Sequence, residues 1–528
     1  MYNRGMNFKR NYLSIITLLG SIFLVAGCKD RNAFKPFRFL DPVNDLKQEI
    51  DDHEDKEFEG YVKYGKLDGY LAKGTSVNPI DLGSTYNVLY KYAGQHIMHS
   101  TGERNILVVP VEFEDFTLDD LGVSRSDYIT NLQKAFFGRA KNNKYVSVSE
   151  YYNRSSYGQL QLSGKVCDKF YTFPKTVDSI IKDDLSEKVV RSCYDDVIKW
   201  AKSSFPSLDL DEYRINPEDS SSDVCIYLVY TYPTELKKNT KVFWDYTFLD
   251  KPFSWSSYSC LNTISGAPDA HTLIHETGHL FGLSDYYPSN ESDPDPTGRI
   301  DMMDCSVGDH SGFSKMMLDW ARPYYVTDSC EINIRSLSEY GDLILINDRW
   351  NNPTETEWKS RKTVFDEYYL IELYSPLGIN YFDASIGNNK AKLPLLPGIK
   401  IYHVDARIAY FKTDRDVKSF LHYCDEIVAD AVDPVSGNVG LAHTNSPTTT
   451  IVSQPTYNLY ELQLNNAKSI SDACAGDTNL FHKGDTFTID SSKWNSKNST
   501  SYKLTVTALN YKQATIKIEK TKTTQNSN

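Results

Sequence analysis

Beyond residue 26 the 528-residue chain has no apolar run long enough to cross a bilayer, which takes ~20 consecutive apolar residues as a helix. It has no excess of basic residues either: 57 Lys and Arg stand against 70 Asp and Glu, a formal net charge of −13. Phosphate contacts need basic patches, so nucleic acid is excluded as a partner. Cysteine is sparse at nine residues, and none shows the paired spacing of a structural zinc site. The cysteines past Cys28 are too scattered for a disulfide framework, and both bridges and free buried thiols stay open for them. What is plentiful is tyrosine, at 37 residues, and enough hydrophobic residues, at 40 %, for sizeable cores. Length suggests roughly two to four structural units.

The N-terminal segment reads as an export signal. Arg4, Lys9 and Arg10 precede an apolar run from Leu13 to Ala26, too short for an ordinary membrane span. The run ends in Val25-Ala26-Gly27-Cys28, which looks like a bacterial lipobox. Cleavage before Cys28 and diacylglycerol on its thiol would tether the chain to a membrane from outside.

One stretch carries dense chemistry: Asp269-Ala-His-Thr-Leu-Ile-His275-Glu276-Thr-Gly-His279-Leu-Phe-Gly282-Leu-Ser-Asp285. On an α-helix, positions i and i+4 share a face, so His275 and His279 can aim two imidazoles at one zinc ion. Glu276, beside the first of them, is placed to take a proton from a water on the metal without binding it. Gly282 can adopt φ > 0 and turn the chain so that Asp285 returns as third ligand. A chance His-Glu-x-x-His in this composition is on the order of one per cent, and Gly282 with Asp285 lowers it by roughly two further orders of magnitude. Downstream, Arg299-Ile-Asp301-Met302-Met303-Asp304 follows a loop rich in Pro, Asp and Gly and supplies the methionine turn expected beneath such ligands.

With that turn the chain resembles the metzincins, and more narrowly the immune inhibitor A family of secreted bacterial metalloproteases, whose third zinc ligand is Asp. Similar segments run patchily from about 103 to 490. They include Ser149-Glu-Tyr-Tyr152 with Ser156-Tyr-Gly-Gln-Leu160, Trp244, and Lys315-Met-Met-Leu-Asp-Trp320, where Asp319 replaces a glycine. Further on come Glu367 to Glu372, Pro397 to Asp405 and Leu480 to Asp485. The resemblance implies zinc held by His275, His279 and Asp285, Glu276 as general base and later acid, and Met303 as the methionine of the turn. Several metzincins place an oxyanion-stabilising tyrosine two residues after that methionine, where this chain has Cys305. Tyr286 and Tyr287 are the candidates to replace it, or else they pack or line the rim.

Calcium is a second candidate cofactor, since Asp293, Asp295, Asp301 and Asp304 offer hard oxygen ligands, although without ordered calcium-loop spacing. His403 and Asp405 alternate on one predicted strand and could hold a metal or form a satisfied polar face.

The expected class is α+β: a metzincin-like catalytic domain with a mixed sheet and zinc helix, then a β-rich sandwich or barrel. The divisions are a signal at 1–27, a lipidated tether and possible propeptide at 28–100, a catalytic domain at 101–325, a β-rich domain at 326–520 and a frayed tail at 521–528. Patterning predicts a buried strand at Ile106 to Phe113, with Pro110 arguing against a central place. It predicts helices at Ser126 to Phe137 and Ser147 to Tyr157, and one long helix from Val177 to Ser204. Strands are expected at Gln159 to Val166 and Val224 to Tyr232, and an edge strand at Val242 to Phe248 that could pair with an extended peptide.

The function this predicts is a surface-anchored zinc endopeptidase acting on extracellular proteins or peptides. Two alternatives are an adhesin lipoprotein with a structural metal site, indifferent to chelation, and a zinc amidohydrolase acting on cell-wall peptides.

Overall fold

The computed structural model describes residues 73–74, 77–79, 97–139, 144–236, 240–248, 251–263, 267–283, 285–287, 296–347, 367–388, 391–405, 408–412, 418–423, 460–466, 474–494 and 500–521. All of these belong to one compact unit, Pro42–Asn528. The export signal, Cys28, most of 28–100, Asp293, Asp295 and the tail from 522 lie outside the described residues.

Two short strands, β1 (Lys73–Gly74) and β2 (Val77–Pro79), precede a mixed sheet. That sheet contains β3 (Gly102–Phe113), β4 (Leu160–Val166), β5 (Tyr171–Phe173), β6 (Ile226–Tyr230), β7 (Tyr246–Phe248) and β8 (Phe253–Ser257). Its order is β4-β3-β6-β8-β7, with β5 also on β3, and every pairing is parallel except that of β7 with β8. Both faces are covered. Along β3, Ile106 and Val108 enter one core while Leu107, Val109 and Val111 enter another, and Tyr227 and Val229 alternate with Ile226 and Leu228 in the same way along β6. Alternation between two buried faces makes the strands read as continuous apolar runs.

Contrary to the caution raised by its proline, β3 is central. Its pairing with β4 ends at Val108 and that with β5 begins at Val111, so Pro110 falls in the gap of that ladder. On the other side Pro110 lies opposite Val229 within an unbroken register. A residue without an N–H is tolerated where one neighbouring ladder is already interrupted.

Helix α1 (Arg125–Phe137) starts at Ser124, whose hydroxyl accepts the Asp127 N–H at 3.1 Å, and α2 (Val148–Ser155) starts at Ser147, which accepts the Glu150 N–H at 3.1 Å. The long helix expected over 177–204 is three: α3 (Val177–Lys182), α4 (Lys188–Arg191) and α5 (Tyr194–Ser204). Asp184 has φ +44°, incompatible with a right-handed helix, and its run with Asp183 and Ser186 favours local turns over helix interior. The edge strand is also shorter than expected. Lys241–Phe243 forms a tight turn that buries Val242 and Phe243, and only Tyr246–Phe248 joins the sheet.

The second half is a β-sandwich. Strands β9 (Tyr324–Val326), β10 (Cys330–Arg335), β11 (Leu343–Ile346), β12 (Glu367–Tyr374), β13 (Gly398–Asp405), β14 (Ile408–Lys412), β15 (Lys418–Tyr423), β16 (Tyr460–Gln463), β17 (Thr486–Ile489), β18 (Ser501–Leu509) and β19 (Gln513–Thr521) follow in order. They form a six-stranded sheet, β16-β13-β12-β11-β9-β2, a five-stranded sheet, β1-β10-β19-β18-β17, and the pair β14-β15. Ile344, Tyr369, Ile371 and Ile401 of the first sheet meet Ile332, Ile334, Leu504, Ile516 and Ile518 of the second. The intervening residues Leu343, Leu345, Tyr368, Leu370, Tyr402 and Val404 share a core with Leu273, Ile274 and Met303. That core therefore continues across residue 325, and the six-stranded sheet is buried on both faces. The architecture is mixed α and β, compatible with the expected α+β class.

A chain ended at residue 325 would expose that shared core and is expected to lose cooperative folding. Circular dichroism with a thermal scan checks this, and a sharp unfolding transition in the shortened chain would contradict it.

Candidate metal centre

Helix α6 (His271–Leu280) is buried on almost every side, including Leu273, Ile274, Thr277 and Gly278. The Tyr152 hydroxyl donates to the Ile274 carbonyl at 2.8 Å, which ties α2 to the middle of α6. At Gly278 a Cβ would stand 2.5 Å from the Met303 sulfur, so a larger residue there would make that buried methionine shift.

The methionine loop is built by Asp301, which caps α7 (Met302–Cys305). One of its carboxylate oxygens accepts the Met303 N–H at 2.8 Å and the other the Ser311 N–H at 3.1 Å. His275 then donates from Nδ1 to the Met302 carbonyl at 2.7 Å, and the Tyr286 N–H donates to the Met303 carbonyl at 2.8 Å. Both methionines hold the site through their carbonyls, Met302 toward His275 and Met303 toward Tyr286.

Past α6, Gly282 takes φ +88° and turns the chain. His279 donates from Nδ1 to the Leu283 carbonyl at 2.8 Å. Asp285 Oδ1 then lies 3.0 Å from His275 Nε2 and 3.3 Å from His279 Nε2. With each Nδ1 proton committed to a carbonyl, a neutral imidazole presents a lone pair at Nε2. Two such lone pairs and a carboxylate around one spot repel each other unless a cation lies among them, so these residues fit a metal ion. The ligand atoms of His275, Glu276 and His279 all lie within 4.8 Å of one another, and this triad could hold a metal ion. A proton on His279 can fill the same role as that cation. Burial disfavours the Asp285 carboxylate, yet His279 and His275 hold it well below the usual range; burial lowers His279, yet Asp285 brings it up to about 9.

Glu276 is 5 % exposed. Burial pushes its carboxyl up, against the opposing pull of His279 and His275. One of its oxygens lies 2.9 Å from the Thr247 hydroxyl on β7.

The two tyrosines considered for the oxyanion separate. Tyr286 is a core residue whose hydroxyl is 2.8 Å from Ser314 Oγ and whose ring packs on Phe313 and Tyr460. Tyr287 is 41 % exposed, with its ring parallel to His275 at 6.5 Å. Calcium finds no support in the described aspartates, because both are engaged locally. Asp301 caps the loop, and Asp304 accepts the Thr297 hydroxyl and the Arg299 N–H. His403 pairs with Glu367 at 2.9 Å across β12 and β13 and stacks on Tyr369, a satisfied strand face. Asp319 has φ +64°, a conformation that explains glycine in the similar pattern and that aspartate tolerates.

A buried clamp closes the start of α6. His271 donates from Nδ1 to Asp269 at 2.5 Å and lies 3.0 Å through Nε2 from Asp383, on helix Asn380–Ser385. Lys144 reaches Asp269 at 3.2 Å, Gly308 donates its N–H to Asp383 at 2.6 Å, and the Tyr145 ring stacks on His271 at 3.9 Å. Asp269 was visible two residues away, but Asp383 is 112 residues distant, with no local signal.

No protein-family model and no curated protein matches the chain.

Gly278→Ala is expected to cost about 1–3 kcal/mol by overpacking on Met303 and to lower metal affinity, measured by thermal unfolding and metal titration. The His271 clamp gives a signed pH dependence. Burial lowers the imidazole, but Asp383 and Asp269 raise it to about 10, so its stabilisation is complete below the unfolded value of 6.5 and is lost as pH rises through 10. His271→Gln should therefore lower the melting temperature more at pH 6 than at pH 10; equal losses would reject a charged His271.

Proposed function

We propose that the chain is a metal-dependent endopeptidase of metzincin type, similar to the immune inhibitor A family, with zinc held by His275, His279 and Asp285. The observation that carries this reading is the convergence of Asp285 on both Nε2 atoms while each Nδ1 is anchored to a backbone carbonyl. Two imidazoles and one carboxylate are a donor set suited to a catalytic zinc. Such an ion supplies Lewis acidity toward a carbonyl oxygen and a water.

The chain's own residues supply the rest. Glu276 takes a proton from the attacking water on its carboxylate and passes it to the leaving amine nitrogen. Strand β7, antiparallel at the end of the sheet and packed along α6, is where an extended peptide would add itself by main-chain hydrogen bonds. Trp244, 47 % exposed, and Tyr287 would offer it apolar surface. We place the enzyme outside the cytoplasmic membrane, tethered through Cys28, on the lipobox-like Val25-Ala26-Gly27-Cys28 alone.

Glu276→Gln is expected to bind zinc stoichiometrically and to lose peptide cleavage by about two to four orders of magnitude, read by elemental analysis and a peptide-library profile. Cleavage at the native rate would sink the mechanism. His279→Ala should lose the metal, and chelation of the native chain should abolish cleavage until zinc is restored. Activity confined to cell-wall fragments, with none on unfolded protein, would favour the amidohydrolase reading instead.

A further inference from the structure

Thr247 is the middle residue of β7, and we propose that it is a positioning residue for Glu276: its hydroxyl holds one carboxylate oxygen and so leaves the other free for the proton. This rests on the endopeptidase reading above.

Strand geometry places it. Tyr246 and Phe248 pack on the core of the opposite sheet face, so the period of two turns Thr247 toward α6. Its cross-strand partner is Ser254 on β8, which is fully buried. The Thr247 hydroxyl lies 2.8 Å from Ser254 Oγ, 2.9 Å from Glu276 Oε2 and 2.9 Å from the Glu276 backbone carbonyl. A hydroxyl has one proton and two lone pairs. Ser254 can donate to it, which leaves the Thr247 proton for Glu276, where a bond to the anionic carboxylate is the stronger choice. With the proton on the carboxylate, this bond sets the rotation of the Glu276 side chain, and the Glu276 carbonyl, also 2.9 Å away, is the competing acceptor for the same proton. A β-branched side chain suits the role, because its χ1 is stiff and the hydroxyl is presented in few orientations.

Thr247→Val keeps the shape and removes the hydroxyl. In the full-length, zinc-loaded chain, tested on a peptide that the native chain cleaves from a random peptide mixture, it should lower kcat by about ten- to hundredfold, with KM within about twofold. Zinc content should stay at the native level. Thr247→Ser restores the hydroxyl and should stay within about threefold of native kcat. In the Glu276→Gln background Thr247→Val should add no further loss, because it acts through that carboxylate. If Thr247→Val does not fold, Ser254→Ala decides: it removes the donor to Thr247 and should lower kcat in the same direction by a few-fold at unchanged KM. A native kcat in both single variants, a loss confined to KM or to zinc content, or an undiminished loss in the Glu276→Gln background overturns the proposal while leaving the endopeptidase reading intact. A native chain that cleaves no peptide overturns that reading, and this role with it.

Discussion

Everything at the centre depends on where the Nδ1 proton of His275 goes. By donating to the Met302 carbonyl it fixes the tautomer and the ring plane together, and Nε2 is left pointing at Asp285. Asp301 caps the loop that carries this carbonyl, and the Met303 side chain packs where a Cβ at residue 278 would stand. The helix alone would supply two histidines on one face. The aim of His275 is set by a backbone carbonyl 27 residues further on, and that of His279 by the Leu283 carbonyl just past the helix.

The loop in turn is held from below by charges that water does not reach. Glu372 on β12 accepts the Gly312 N–H at 2.7 Å, and burial pushes its carboxyl up to about 7. Lys400 on β13 donates to the Ile300 carbonyl at 3.3 Å, next to the capping Asp301. Lys315 is wholly buried, pairs with Asp309 at 2.8 Å, donates to the Ser155 carbonyl at 2.6 Å and covers the Tyr157 ring at 4.4 Å. Groups of this kind add little net stability beside apolar packing of the same volume, but losing one partner is costly. Their consequence is positional: the six-stranded sheet cannot shift against the metal loop without stranding a charge. The β-rich half is therefore the floor of the centre as well as a neighbour to it.

What was legible in the sequence follows from how local its causes were. The ligand spacing, Gly282 and Asp285 lie within one helix and one turn, so periodicity and glycine's freedom suffice. The β-rich character of 326–520 is legible because strands such as β11, β12 and β13 are apolar on both faces, and the same continuity hides which face belongs to which core. The helix over 177–204 was read as one piece because its apolar spacing survives the break, whereas the break itself depends on Asp184 adopting φ +44°. Tyr286 and Tyr287 are adjacent and chemically alike, and only the packing of Phe313 and Tyr460 separates a core tyrosine from one at the rim. Thr247 and Asp383 were invisible for a different reason. Each acts on α6 from another element, 29 residues away in one case and 112 in the other.

The two carboxylates beside the histidines sit in different surroundings. Asp285 is partly open to solvent, lies against both imidazoles, and is held as an anion. Glu276 is buried, has a neutral hydroxyl rather than a cation as its hydrogen-bond partner, and holds a proton more readily than an ordinary glutamate. On the proposed reading, the first environment suits a metal ligand and the second an acid–base group. Identical chemistry would be interchangeable in water. Here the difference is made by what each is set against: for Asp285 the paired imidazoles, and for Glu276 the covered face of β7.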